Sequence, residues 1–270
     1  SDMKRRKRGK QTLKRKMLSI LLLCAMSCIL AVVIVSYMTI RMIQNDSIQE
    51  SMQIYLEQIT RELDSDYYDM IGIVNQMSPN GLIGSVTEKY LSAEDNYDRY
   101  FEQKSLREEL IKLGYVNTKL LGIAYYDPKE QKELIGNFNV RVLDPSYQTI
   151  SKVIVGADNI IQAMHASYLG IKETPVLSVM RRVSFGNKRV LDIYTEIEPD
   201  MSVSDRLNKE KWPYTYMELD ENGIVQYSNN PVIVRGQKLL SELPEKEGYA
   251  VTNQEGYKIM AYRSPIGYVN

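Results

Sequence analysis

Cysteine is nearly missing from this 270-residue chain: Cys24 and Cys28, one helical turn apart, are the only two, and both lie in a single apolar stretch. The remainder therefore holds no disulfide and no thiol chemistry, and the pair reads as small apolar residues on a helix face. Histidine is rarer still. The single His165 excludes histidine-cluster metal sites and leaves any Ser-His-Asp catalysis dependent on one residue. H-E-x-x-H, G-x-S-x-G and P-loop patterns are all missing. Acid pairs such as Glu196/Glu198 and Asp64/Asp66 supply the groups a glycosidase uses. In segments this acidic they read as solvated faces. The expectation is a chain with no catalytic residue, no metal and no cofactor.

Charge is missing from a second place, and there its absence is informative. Met17 to Ile40 is a run of 24 residues without a charged side chain. A hydrocarbon core of roughly 30 Å needs about 20 apolar residues in a helix, so this run is long enough to span. It exceeds the apolar region of a cleaved signal peptide, and no small-residue cleavage site follows it. A soluble core helix would need a polar face, and this one has none. Residues 1–16 carry nine Lys or Arg and one acid, Asp2, whereas Arg41 is the only basic residue among the twenty after Ile40. The positive-inside rule then puts residues 1–16 in the cytoplasm and the body outside the cell membrane. Beside a spanning helix the KRRKR run points to anionic lipid, not to nucleic acid.

Beyond residue 41 the periodicity is helical. Ile48, Met52, Tyr55, Ile59, Leu63, Tyr67, Met70, Val74 and Met77 recur at steps of three or four, predicting a long amphipathic helix. Ser47 and Glu50 form a capping box at its start, and Ser78-Pro79-Asn80-Gly81 ends it. Such a rod, roughly 45 Å long, serves as a dimer stalk, the spine of a domain, or both. Residues 82–115 read as helical with an interruption at residues 92–96 and a stop at Gly114.

The period then changes. Leu120–Tyr126 reads as a buried strand that Glu133–Phe138 pairs with, and Tyr147–Met164 as helical or mixed. Val176–Phe185 and Arg189–Ile197, joined at Gly186-Asn187-Lys188, form the clearest hairpin. A second, smaller unit starts near Trp212. It has strands at Thr215–Leu219 and Ile224–Ser228, a short helix at Lys238–Leu243, and strands at Tyr249–Thr252 and Lys258–Arg263. The expected class is α+β: a membrane helix, a long amphipathic helix, then two antiparallel-sheet modules in series.

This order of elements resembles the double Cache sensor domain of bacterial receptors. KLLGIAYYDPKEQKELIGN (119–137) resembles the first strand pair of the distal module, and PVLSVMRRVSFGNKRVLDIYTEIE (175–198) its closing hairpin. YTYMELDENGIVQYSNNP (214–231) resembles the opening hairpin of the proximal module, and GYAVTNQEGYKIMAYRSPIGY (248–268) its last two strands. With the basic tail, the whole is most similar to the YesM type of sensor histidine kinase. The aromatic-rich Arg-x-Trp-Tyr signature of amino-acid-binding members is missing.

The resemblance implies a PAS-like pair of modules, distal at 79–205 and proximal at 206–268. These follow a cytoplasmic tail at 1–16, a membrane helix at 17–40 and an extracellular helix at 45–78. It also implies a second membrane helix and a kinase core after the proximal module. A chemoreceptor or a diguanylate cyclase uses the same kind of sensor. From a different class, a signal-anchored surface protein that binds a partner protein shares the same outline. Twenty tyrosines against three phenylalanines suit a pocket for a small polar ligand, because tyrosine joins an apolar ring to a hydroxyl. The expected pocket lies between the sheet and the helices of the distal module, lined by Tyr125, Arg181, Asp192 and Tyr194. Arg181 would clamp a carboxylate and Asp192 would take an amine. The expected partners are that ligand, the lipid bilayer and a second copy of the chain along residues 47–77.

Overall fold

The computed structural model describes residues 2–136, 158–169, 175–186, 188–199, 214–220, 222–238, 248–254 and 257–265. Contacts divide the chain into two units, Ser1–Tyr55 and Leu56–Asn270.

One helix, α1 (Asp2–Met77), runs through the first unit and into the second. No glycine or proline occurs between Gly9 and Gly72, so nothing interrupts the hydrogen-bond ladder. The separate start expected at Ser47 is therefore corrected. Ser47 is an interior residue whose carbonyl accepts from Ser51 Oγ at 2.7 Å, and a cap needs non-helical backbone before it. In the first unit the apolar side chains of Met17–Ile40 are all exposed, Leu21 by 72% and Ile34 by 49%. Among the described residues this is the one helix long and apolar enough to cross a membrane. Ser27 and Thr39 hand their hydroxyl protons to the carbonyls of Cys24 and Val35, as a polar group in hydrocarbon must.

The second unit is built around the last part of α1. Ile59, Leu63, Tyr67, Met70, Val74 and Met77 are each at most 1% exposed. They share one core with Ile83 of α2 (Leu82–Ser92), with Leu106, Leu110 and Leu113 of α3 (Asn96–Val116), and with the sheet. Truncating any of these Leu or Met side chains to alanine costs about 2–5 kcal/mol. Ile48 and Tyr55, on the same stripe but in the first unit, stay 38% and 41% exposed. The stop at Ser78-Pro79 is as expected: Ser78 closes the last turn onto the Val74 carbonyl, and proline disfavours helical backbone before it. Asp95 caps α3 by accepting from the Asp98 amide at 2.7 Å. Gly114 is not the stop; α3 continues to Val116, and Asn117 caps it onto the Leu113 carbonyl.

Five antiparallel strands follow: β1 (Leu120–Asp127), β2 (Lys132–Gly136), β3 (Ile160–His165), β4 (Val176–Ser184) and β5 (Val190–Ile197), in the order β2-β1-β5-β4-β3. The β4–β5 hairpin pairs without a break from Leu177↔Ile197 to Ser184↔Val190. Its turn is closed by Phe185 and Arg189, with Lys188 at φ 61. β2 pairs with β1 as expected; Asn137 and Phe138 lie outside the described residues. Of the helical or mixed reading of 147–164, the helical alternative fails at 160–164, which is an edge strand on β4. Four apolar residues around the single polar Gln162 are too few to show a period of their own, so pairing decides their conformation. Residues 147–157 lie outside the described residues.

The remaining strands form two hairpins. β6 (Met217–Leu219) pairs with β7 (Val225–Ser228), and β8 (Gly248–Gln254) with β9 (Tyr257–Arg263). The Asp220 carboxylate accepts the amides of Asn222 and Ile224 at 2.9 Å each, and Gly223 supplies the φ of 73 that the turn requires. Strand pairing begins at Met217, not at Thr215. Lys238, expected to open a helix, bridges instead to Ile224. Residues 239–243 and Trp212 lie outside the described residues. The architecture is α+β.

Candidate functional site

β4 and β5 are buried almost throughout, so each of their faces is covered by something different. One face carries Leu177, Val179, Val183, Leu191 and Ile193 against α1, α2 and α3. Tyr125 and Arg181 share it, since both stand opposite Ile193 in register. Both are committed to internal partners. Tyr125 Oη donates to the Met77 carbonyl. Arg181 donates to Asn159 Oδ1 at 2.8 Å, Asn75 Oδ1 at 2.7 Å and Ser78 Oγ at 3.3 Å. The space between sheet and helices, expected to hold a pocket, is filled by the core at this point.

Asp192 and Tyr194 point the other way. The four residues singled out from sequence thus split two and two: Tyr125 and Arg181 on the helix side, Asp192 and Tyr194 on the face away from α1–α3. There the pairing lays out three rows: Arg182–Asp192–Tyr126, Met180–Tyr194–Ala124, and Ser178–Glu196. Tyr126, Met180, Tyr194, Tyr168 and Leu169 form a second apolar cluster, each at most 6% exposed. Arg182 grips Asp192 with two hydrogen bonds, Nε to Oδ1 at 2.7 Å and a terminal nitrogen to Oδ2 at 3.0 Å. Asp192 is fully buried and Arg182 retains 25% exposure, so the fork is the solvent-facing half of the pair.

Glu196 is also fully buried. It accepts from Ser167 Oγ at 2.6 Å, the Tyr168 amide at 2.6 Å, the Leu169 amide at 3.4 Å and Tyr194 Oη. Burial pushes its carboxyl up from the ordinary range, while these donors pull it back. Its structural effect is to tie the turn after β3 to β5. That turn lays the Tyr168 ring on His165, with centroids 4.2 Å apart, and beside Tyr194.

Burial holds His165 neutral, lowering its pKa to about 4. The neutral ring is assigned as donating from Nδ1 to the Ala166 carbonyl at 2.6 Å and accepting at Nε2 from Ser178 Oγ at 2.7 Å. A serine beside a histidine is the pairing a hydrolase uses. Here the group that orients the ring is a peptide carbonyl and the serine is fully buried, so no substrate carbonyl reaches it. Among the described residues no group of three His, Cys, Asp or Glu is placed to hold a metal ion.

Sequence reasoning missed Tyr126, Tyr168, Met180 and Arg182, and it read Glu196 as part of a solvated face, whereas the side chain is fully buried. Three of them are the strand neighbours of residues it did choose: Tyr126 of Tyr125, Arg182 of Arg181, and Met180 of Arg181. Alternation showed that neighbours face opposite ways, but not which parity faces the helices.

No protein-family model matches the sequence, and no curated relative is detected. Solved structures do resemble it. The extracellular domain of the putative histidine kinase rpHK1S-Z16 is 15% identical, with a TM-score of 0.45, covering 78% of this chain and 86% of that one. The sensor domain of the V. cholerae histidine kinase DctB is 12% identical, with a TM-score of 0.47, covering 71% and 70%. The ligand binding domain of Mlp24 with asparagine is also 12% identical, with a TM-score of 0.52, covering 82% of this chain and 87% of that one. At that identity the likeness is one of fold alone.

Proposed function

We propose that this chain is the extracytoplasmic sensor of a transmembrane signalling receptor, and that it binds a small polar ligand on the sheet face bearing Arg182 and Asp192. The observation that carries the reading is that face itself. A paired guanidinium and carboxylate sit among buried aromatic rings, on the side of the sheet that α1–α3 do not fill. Such a face offers a partly exposed guanidinium, backed by a buried carboxylate, beside an apolar floor, the combination that suits a ligand bearing a carboxylate. The Mlp24 domain of like fold has asparagine bound, which agrees with that ligand class. Of the four residues chosen from sequence, Asp192 and Tyr194 stay in the proposed site; Tyr125 and Arg181 shape the sheet from behind.

The rest of the reading concerns the membrane. The basic residues 1–16 stay cytoplasmic against anionic lipid, Met17–Ile40 spans, and the sheet modules lie outside. The output partner is a histidine kinase core of the YesM type, reached through a second membrane helix. Two copies pair along residues 47–77, where Ile48 and Tyr55 keep exposed apolar surface. Ligand then biases the output only through different affinities for two arrangements of the paired helices.

The test is a thermal-shift screen of the full chain in lipid nanodiscs against amino acids, dicarboxylates and sugars. A stabilising amino acid or carboxylate whose effect vanishes in Asp192→Asn and persists in Arg181→Gln supports the proposal. A ligand whose effect ignores Asp192, or a screen without any stabilising compound, rejects the site.

A further inference from the structure

The β6–β7 hairpin meets the five-stranded sheet through a carboxylate. Glu218, the middle residue of β6, is 5% exposed. Its Oε2 accepts from the main-chain amide of Met164 on β3 at 2.9 Å, and its Oε1 from Tyr216 Oη at 3.0 Å. One residue pair away, Tyr67 of α1 donates to the Gln162 carbonyl of the same β3 at 2.9 Å. A single side chain thus bonds the second module to an edge strand that is itself bonded to the long helix. We propose that Glu218 is a proton-operated joint: with a proton on its carboxyl group the β6–β7 hairpin stays seated on β3, and without one the hairpin is released toward water.

The argument rests on what surrounds the group. From α1 it faces Tyr67, from β6 Tyr216, from β7 Tyr227, and from β3 only main chain and Gln162. Asp66, next to Tyr67, is a second carboxylate whose cation, Lys119, is spent on it at 2.8 Å. His165, next to Met164, is neutral and turned to Ser178 and Ala166. No described group acting on Glu218 brings a positive charge; its only help is two hydrogen-bond donors. A buried carboxylate in that position is penalised when ionised, and the direction agrees: burial pushes Glu218 up to about 7. Released into water, the group returns to the ordinary range. Acid therefore favours the seated form, and raising the pH through neutrality favours release. This joint uses neither Arg182 nor Asp192, so it holds or fails independently of the ligand site.

Hydrogen exchange on the full chain in nanodiscs tests it, with exchange times corrected for the intrinsic pH dependence of the amide. Between pH 5.5 and pH 8, amides of residues 158–169 and 214–220 lose roughly 25-fold in protection, the factor that a shift from 4.5 to about 7 implies. Glu218→Gln, which cannot ionise, abolishes that loss of protection on raising the pH, while β1 and β5 stay protected. Tyr216→Phe removes a donor that favours the anion, so the midpoint of the loss moves to lower protonation demand, that is, to higher pH. Unchanged wild-type protection across that range overturns the proposal. So does a loss of protection on raising the pH that survives in Glu218→Gln, or a midpoint unmoved in Tyr216→Phe.

Discussion

Tyr125, in the middle of β1, donates its hydroxyl proton to the main-chain carbonyl of Met77, the last residue of α1. The last carbonyls of a helix lack intrahelical donors, so this bond satisfies one of them and pins the helix end to the sheet. Both residues are fully buried. Tyr125→Phe leaves that carbonyl without its donor and costs about 1–2 kcal/mol in chemical denaturation. A change within a few tenths of a kcal/mol shows that the bond does not hold the two elements together.

Arg182 and Asp192 stand directly opposite each other on β4 and β5. Removing the cation strands a fully buried carboxylate, so Arg182→Met destabilises by about 3 kcal/mol. Adding Asp192→Leu to that variant recovers most of the loss, since an apolar pair has no charge to leave unpaired. Additive losses in the double-mutant cycle refute the pairing.

His165 gives a pH dependence of the opposite sign to Glu218. Its pKa falls from 6.5 to about 4 because burial disfavours the cation. The neutral ring's contribution is complete above pH 6.5 and is lost as pH falls toward 4, where the unfolded chain takes up the proton first. Glu218 contributes most below pH 4.5 and loses it as pH rises through about 7. The two slopes oppose each other in wild type. In His165→Gln the melting temperature stops falling on acidification, relative to wild type, between pH 6.5 and pH 4. A variant that follows the wild-type curve over that range rules out a buried neutral ring.

Two glycines in helices respond in opposite ways to a methyl group. At Gly84 a Cβ would come within 1.8 Å of the Ser78 carbonyl oxygen, which is backbone and has nowhere to go. Gly84→Ala costs about 3 kcal/mol or prevents folding. At Gly72, inside α1, nothing lies within 4 Å, and Gly72→Ala stabilises by about 0.5–1 kcal/mol through helix propensity. Denaturation midpoints decide both; equal effects at the two positions contradict the close approach of α2 to the Ser78–Pro79 turn.

The amino-acid sequence by itself determined the features that depend on local chemistry. An uncharged run of 24 residues marks the membrane-length segment, Ser78-Pro79 ends α1, and the turn around residues 186–188 makes the β4–β5 hairpin. Each is written in neighbouring residues, because helix termination and turn formation are short-range. Tertiary structure decided the rest. Both faces of β4 and β5 are buried, so their hydropathy does not alternate and gives no cue to which side meets the helices. That choice set Tyr125 into the core, Arg181 against the end of α1, and Asp192 and Tyr194 on the opposite face. β3 became a strand only by pairing with β4, and Glu218 became a buried joint only when β6 met β3. These outcomes join residues far apart in the chain, and no local pattern records who the distant partner will be.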